Sequence, residues 1–285
     1  MHPILFEAWG YKVSSYPVMM VLGYLLAAAV MLHLTPKGHG PEDPWRAPRG
    51  EVGLFRAQVW DLFVVMLVSS VIGAKIGHVL FEASGHIDAN GKPIDGVIAL
   101  LRDDPFHWAR LGEGGYVWYG GMIGALGVAV FYFWRRPHLN RWRYADVTCP
   151  AIMAGAAVGR LGCFMAGCCH GKPTDLPIGV FMHGHMVHPT QLYDATIAGL
   201  LAVFLFFRFP RRRFDGESIA TLLVCYPILR ATTEFFRGDQ ERGALGPLST
   251  SQWLSIPLLL IGVALFVRLR RHPVAIKEAS RVAAE

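Results

Sequence analysis

At 285 residues, with 53% hydrophobic side chains and only 17% charged ones, the chain is too apolar for an ordinary soluble domain. The net charge of +6 does not call for a nucleic-acid partner, because the basic excess sits in short segments between apolar runs, where it faces anionic lipid. No internal repeat, low-complexity tract or GxxxxGK phosphate loop is present.

Seven windows have the length needed to cross roughly 30 Å of hydrocarbon at about 1.5 Å per residue. The expected architecture is therefore an all-α, polytopic integral membrane protein of seven transmembrane helices, forming one domain over 1–285. The N-terminus lacks a basic region and a small-residue cleavage site before its first apolar run, so Tyr16–Leu34 reads as a retained helix. A mixed-polarity cytoplasmic loop is expected over 35–61, then a second span at Leu62–Leu80. The outer segment 82–113, with Pro93 and Pro105, precedes spans at Tyr116–Trp134 and Val147–Met165. A polar turn carrying His183, His185 and His188 leads to a fifth span at Leu192–Phe209, where Thr190 is placed to cap the helix. Spans at Ile219–Phe236 and Trp253–Val267 complete the set, and Trp9, Trp108 and Trp118 read as interfacial anchors. A buried soluble helix is the alternative for any one run, but not for seven together.

Orientation follows from Lys and Arg. The segments after the odd-numbered spans hold Lys37, Arg46, Arg49 and Arg56, then Arg135, Arg136, Arg141 and Arg143, then Arg208 and Arg211 to Arg213, and finally Arg268, Arg270, Arg271, Lys277 and Arg281. The opposite side holds Lys12, Lys92, Arg102, Arg110, Lys172, Arg237 and Arg242, interleaved with acids. The positive-inside rule then puts the N-terminus outside and the C-terminus in the cytoplasm.

Lys75, Arg160 and Arg230 remain inside predicted spans, where a charge costs at least about 2.5 kcal/mol. Helical rise puts all three about 17 to 20 Å from the inner surface, in the outer half. Glu234 lies one turn beyond Arg230, and the two could simply pair as a buried tether. One carboxylate does not neutralise three cations, however, and a lipid phosphate gripped by arginine would. An enzyme or binder acting on phospholipid headgroups is one class of function. A transporter using these charges along an ion path is the other, although no repeat or broken helix marks one.

The stretch GRLGCFMAGCCHGKPT holds Cys163, Cys168, Cys169 and His170. Adjacent cysteines after a four-residue gap fit a tetrahedral zinc site poorly. A disulfide from Cys163 to Cys168 or Cys169 is geometrically easier than a vicinal bridge. The bland alternative is that Cys163 is a small buried residue and the others pack a turn.

Several blocks, in order, resemble the prolipoprotein diacylglyceryl transferase family: SSYPVMMVLGY, DLFVVMLVSSVIGAKIGHVLF, GGYVWYGGMIG, GRLGCFMAGCCHGKPTDLP, VHPTQLYD, RATTEFFR and LSTSQWLS. The resemblance covers about Tyr11 to Leu269. It implies a seven-helix enzyme of the bacterial inner membrane, with no cofactor and no metal. Such an enzyme moves the diacylglyceryl group of phosphatidylglycerol onto the lipobox cysteine of a prolipoprotein as a thioether and releases glycerol phosphate. Arg160 and Arg230 are the expected phosphate grip, with Glu234 orienting Arg230 or accepting a proton and His170 a second candidate base. Tyr16, Gly171, His188, Tyr193 and Tyr226 match the family's substrate-binding positions. The outer segment 82–113 would help recognise the peptide.

The chain also departs from the family. Cys163 stands where the family has asparagine, Cys168 where it has glutamate, Tyr119 where it has histidine, and Lys75 where it has arginine. Tyr119, with an ordinary pKa near 10, is a poor base at neutral pH. Two enzyme readings follow: a divergent transferase using another base, or a catalytically altered paralogue that binds or modifies phospholipids.

Overall fold

The computed structural model describes residues 4–8, 11–35, 49–81, 86–87, 93–94, 117–182, 184–238, 244–245 and 248–272. The chain clusters into two compact units, Met1–Val52 with Arg141–Glu285, and Gly53–Asn140. The described helices are α1 (Ser15–Leu34), α2 (Arg49–Phe81), α3 (Trp118–Arg135), α4 (Arg141–Ala166), α5 (Thr190–Arg208), α6 (Glu217–Glu234) and α7 (Thr250–Arg271). Each contains or overlaps one of the expected spans. Five of these stretches are long and apolar enough to cross a membrane: Ser15–Leu34, Phe55–Leu80, Arg141–Ala166, Thr190–Arg211 and Ser251–Arg271. The protein is thus an all-α, polytopic membrane protein. The other two helices, α3 and α6, have 18 residues each. Glu217, Arg230 and Glu234 make α6 the more charged of the pair.

Helix α2 departs from expectation. The predicted loop over 35–61 is helical from Arg49, giving a 33-residue helix about 50 Å long. Its first turns carry Arg49, Glu51 and Arg56 among Leu54, Phe55 and Val59, so the polar residues that suggested a loop occupy a mixed-polarity helix. The remainder of that expected loop, and most of the 82–113 segment, lie outside the described residues. From the latter only the two short strands β3 (His86–Ile87) and β4 (Pro93–Ile94) are described.

In the larger unit, α1 packs on α4 through glycine. A Cβ on Gly23 would lie 2.9 Å from the Gly155 carbonyl oxygen, and one on Gly155 would lie 3.0 Å from that of Gly23. Small residues at such a crossing let backbones approach, the usual basis of helix packing in lipid. Cys149, Met153, Leu201, Leu205 and Leu222 form the core among α4, α5 and α6. Outward, Leu25, Leu200, Phe207 and Leu260 are exposed apolar residues, as a lipid-facing surface requires.

Short antiparallel hairpins flank the helices: β1 (Ile4–Ala8) with β2 (Tyr11–Ser14) before α1, β5 (Val180–Met182) with β6 (His185–Val187) between α4 and α5, and β7 (Ala244–Leu245) with β8 (Leu248–Ser249) between α6 and α7. The expected turn at His185 and His188 is thus partly strand, with Gly184 at φ +89° in its bend; His183 lies outside the described residues. Ser249 and Gln252 close a capping box on α7, the hydroxyl accepting from the Gln252 N–H at 3.3 Å and the Ser249 N–H donating to Gln252 Oε1 at 3.0 Å.

In the smaller unit α2 and α3 cross at two GxxxG sequences. A Cβ on Gly73 would meet the Gly120 carbonyl oxygen at 2.4 Å, and one on Gly124 would meet that of Ser69 at 2.4 Å. The Val117 N–H donates to the Ala74 carbonyl at 3.1 Å, fixing where α3 begins against α2.

Candidate functional site

The candidate site of the larger unit is built by α4, α6, the start of α5 and the chain after α4. Arg160 on α4 is half-buried, its Nε 3.4 Å from Asp194 Oδ2 on α5. Arg237, just beyond α6 and only 3% exposed, approaches the same oxygen at 3.6 Å and Glu234 Oε2 at 4.0 Å. Arg230 Nη2 lies 2.6 Å from Glu234 Oε2 and donates to Ser251 Oγ at 3.2 Å, while its Nη1 donates to Thr233 Oγ1 at 3.1 Å. Arg230 and Glu234 do pair, as the tether reading expected. Among the described residues, three guanidinium groups share two carboxylates, and the Asp194 contacts are longer than ordinary N–H···O bonds. The arrangement gathers guanidinium groups in a largely buried place.

Asp194 and Arg237 were not among the expected site residues. Asp194 had a signal, being a carboxylate inside a predicted span. Arg237 had a weaker one: it lies three residues past Glu234, within helical reach of it, at the end of RATTEFFR.

The chain leaving α4 is held by the HPTQLYD block. The hydroxyl of Thr190 donates to the Cys169 carbonyl at 2.9 Å, and Gln191 Nε2 donates to the Cys168 carbonyl at 2.6 Å. Thr190 therefore does not cap α5 as expected. Pro189 occupies the cap position, and the Thr190 hydroxyl ties the cysteine turn instead. His188 Nδ1 lies 3.1 Å from the Tyr193 hydroxyl, and both rings pack edge-on to Phe236, with centroids 5.2 and 5.9 Å away.

Gly171 continues this turn alongside β6 and the end of α6. Its N–H donates to the His188 carbonyl at 2.8 Å, and the Lys172 N–H donates to that of Phe236 at 2.9 Å. A Cβ on Gly171 would lie 2.5 Å from Phe236 O and 2.6 Å from His188 Cβ, so only glycine fits. His170 Nδ1 lies 3.1 Å from the Gly171 carbonyl oxygen, which can only accept. A hydrogen bond there places a ring proton on Nδ1.

Cys163, Cys168 and Cys169 bring their sulfur atoms within 4.8 Å of one another. All five cysteines are free thiols. Cys169 sits at φ 60°, which aims its side chain back toward α4. Hydrogen bonds from the Cys163 and Cys168 thiols hold the Cys169 thiol well below its usual pKa, and the Arg237 and Arg160 charges add to this against the effect of burial.

Tyr16, at the start of α1, lies against α4, where a Cβ on Gly162 would meet its ring at 3.5 Å. Tyr226 packs against the α4–α6 core one turn before Arg230. Lys75 on α2 is buried and Tyr119 on α3 is exposed, and both belong to the smaller unit. The structure thus gathers Arg160, Arg230 and Glu234 into one ion cluster with Asp194 and Arg237. The HPTQLYD block connects that cluster to Gly171, His188, Tyr193 and the cysteine turn.

The family model for prolipoprotein diacylglyceryl transferase matches residues 3–268. The chain belongs to this family. It is 30% identical over 273 residues to the phosphatidylglycerol–prolipoprotein diacylglyceryl transferase of Clostridium tetani, covering 93% of this chain and 97% of that one. It is 29% identical to the protein of that name from Campylobacter hominis, covering 95% and 91% of the two chains. With that from Coxiella burnetii it shares 30% identity over 91% and 92%. Membership agrees with the resemblance carried by the sequence blocks, and it puts the buried arginines in a membrane transferase family.

Proposed function

We propose that the protein transfers the diacylglyceryl group of phosphatidylglycerol to the lipobox cysteine of prolipoproteins. We further propose that it works in the bacterial cytoplasmic membrane with seven spans, N-terminus outside and C-terminus inside. The observation that carries this reading is the cluster of Arg160, Arg230 and Arg237 over two carboxylates, in a chain matched to the transferase family over 3–268. Clustered guanidinium groups suit a phosphate that must gain negative charge as it leaves.

In the reaction, a sulfur–carbon bond forms between the substrate thiol and the glycerol carbon bearing the phosphate. The carbon–oxygen bond to that phosphate breaks, its electron pair departs with glycerol phosphate, and the thiol proton passes to a base. Arg160 and Arg230 hold the phosphate, and Glu234, 2.6 Å from Arg230, orients that guanidinium. Glu234 is already engaged by Arg230, which leaves His170 as the proposed proton acceptor. Gly171 lets the turn after α4 pack against Phe236 and His188, while Tyr16, Tyr193, His188 and Tyr226 line the substrate's path. Lys75 and Tyr119 are assigned to the site by the family resemblance alone, whereas Cys163 and Cys168 lie in the turn that the HPTQLYD block holds. None of the cysteines serves as a covalent relay, because an alkyl thioether on the enzyme would offer no ready leaving group for a second transfer.

Complementation of a transferase-deficient strain tests the proposal. The intact gene should restore lipoprotein modification, a lipobox peptide should gain the diacylglyceryl mass in vitro, and Arg160→Ala should do neither. No modification by the intact protein would sink the reading. The cysteines at 163 and 168 and Tyr119 favour the altered-paralogue alternative, which predicts binding of phosphatidylglycerol vesicles without thioether product.

A further inference from the structure

We propose that Cys163, Cys168 and Cys169 form a three-coordinate site for a soft, thiophilic metal ion, with Cu(I) as its biological occupant. The reading does not depend on the transferase reaction.

The first support is geometric. The three sulfur atoms lie within 4.8 Å of one another. Three sulfurs about 2.3 Å from a central ion would stand about 4.0 Å apart in a trigonal plane, so a small inward movement closes the site. That convergence is built by the fold. The Cys168 N–H donates to the Cys163 carbonyl at 3.1 Å, wrapping the chain back over the end of α4. Thr190 and Gln191, on α5, then hold the Cys169 and Cys168 carbonyls at 2.9 and 2.6 Å. Cys169, at φ 60°, is the one non-glycine residue with positive φ among the described residues, and that conformation turns its thiol toward the other two. Sequence spacing argued against zinc because a pair two to four residues apart was missing; the left-handed residue brings adjacent cysteines to one point anyway.

The second support is chemical. Soft thiolates select Cu(I) and zinc, and structural zinc sites close with a fourth protein ligand. Among the described residues, no histidine or carboxylate joins the three sulfurs as a fourth ligand. Three-coordinate, all-sulfur ligation suits a d10 monovalent ion. Cys163 is buried, Cys169 half-buried and Cys168 exposed, which leaves one open side by which an ion can enter. Three thiolates around a monovalent ion keep a net negative charge, and Arg160, one turn before Cys163 on α4, supplies nearby positive charge.

The full-length protein, purified reduced and anaerobically in detergent, should be titrated with Cu(I) against a chromophoric Cu(I) chelator. One ion should bind per chain, with three sulfur scatterers in the X-ray absorption spectrum. Cys163→Ser, Cys168→Ser and Cys169→Ser should each weaken binding by more than the 10–100-fold expected from loss of an outer-shell partner. Cys149→Ser and Cys225→Ser, whose thiols lie at the α4–α6 core, should bind as the parent does. Circular dichroism and thermal unfolding of every variant separate lost ligation from lost fold, and Thr190→Val, which keeps all thiols, should weaken binding by loosening the turn. Failure to compete with the chelator overturns the proposal. So does binding that survives the triple serine variant, a four-coordinate zinc signature with no Cu(I) preference, or a Cys163 disulfide in protein isolated without reductant. Complementation by the triple serine variant is read separately, so loss of the ion site and loss of the transferase activity are distinguishable.

Discussion

Gly171 occupies a position where one added carbon has nowhere to go, 2.5 Å from Phe236 O and 2.6 Å from His188 Cβ. Gly171→Ala must push apart the backbone strands that join the end of α6 to the chain before α5, and with them Glu234 and Arg237. We expect transferase activity to fall about 100-fold, the scale of a 1 Å misplacement at a reacting centre, with helix content by circular dichroism unchanged. An alanine variant with parental activity would show that this close approach has no bearing on the reaction. The sequence made Gly171 legible only through the resemblance. Arg160, Arg230 and Glu234 were legible from physics, because charges inside apolar runs are conspicuous. Asp194 escaped notice although it obeys the same rule, and its pairing with Arg160 narrows the charge excess that one carboxylate had seemed to leave.

The helices are set against one another by glycines that read, in sequence, as part of family blocks. On α3, a Cβ at Gly120 would lie 2.3 Å from the Gly73 carbonyl oxygen on α2. Gly120→Ala should therefore overpack this crossing and destabilise it by about 1–3 kcal/mol, read as a lower thermal midpoint in detergent. The same substitution at Gly127, which has nothing within 4 Å, is the control and should leave the midpoint in place. Element existence was legible throughout because each span is a long apolar run. The start of α2 was not, since a mixed-polarity stretch can be loop or helix, and 49–61 became helix by continuing an established one.

Across the larger unit, one fully buried carboxylate joins α4 to the start of α6. Asp146 accepts from the Gly216 N–H at 2.7 Å and the Ile219 N–H at 3.0 Å, and its Oδ2 lies 3.4 Å from Arg212 Nε. It caps α6 from another helix, at a position where Gly216, at φ 96°, offers no side-chain cap of its own. Asp146→Ala should cost about 3–5 kcal/mol, since it removes a carboxylate from beside the buried Arg212 and strips two helix N–H groups of an acceptor. Thermal unfolding of the variant in detergent checks this, and an unchanged midpoint would contradict it. The amino-acid sequence by itself determined the all-helical membrane class, the place of each apolar run, and the arginines that lie inside those runs. Those features depend on local composition and helical rise. Only the tertiary structure decided that Asp194 stands between Arg160 and Arg237, that Thr190 holds a cysteine turn in place of capping a helix, and that three thiols converge. Each of these joins residues whose separation along the chain carries no periodic signal, and only the packing of α4, α5 and α6 brings them together.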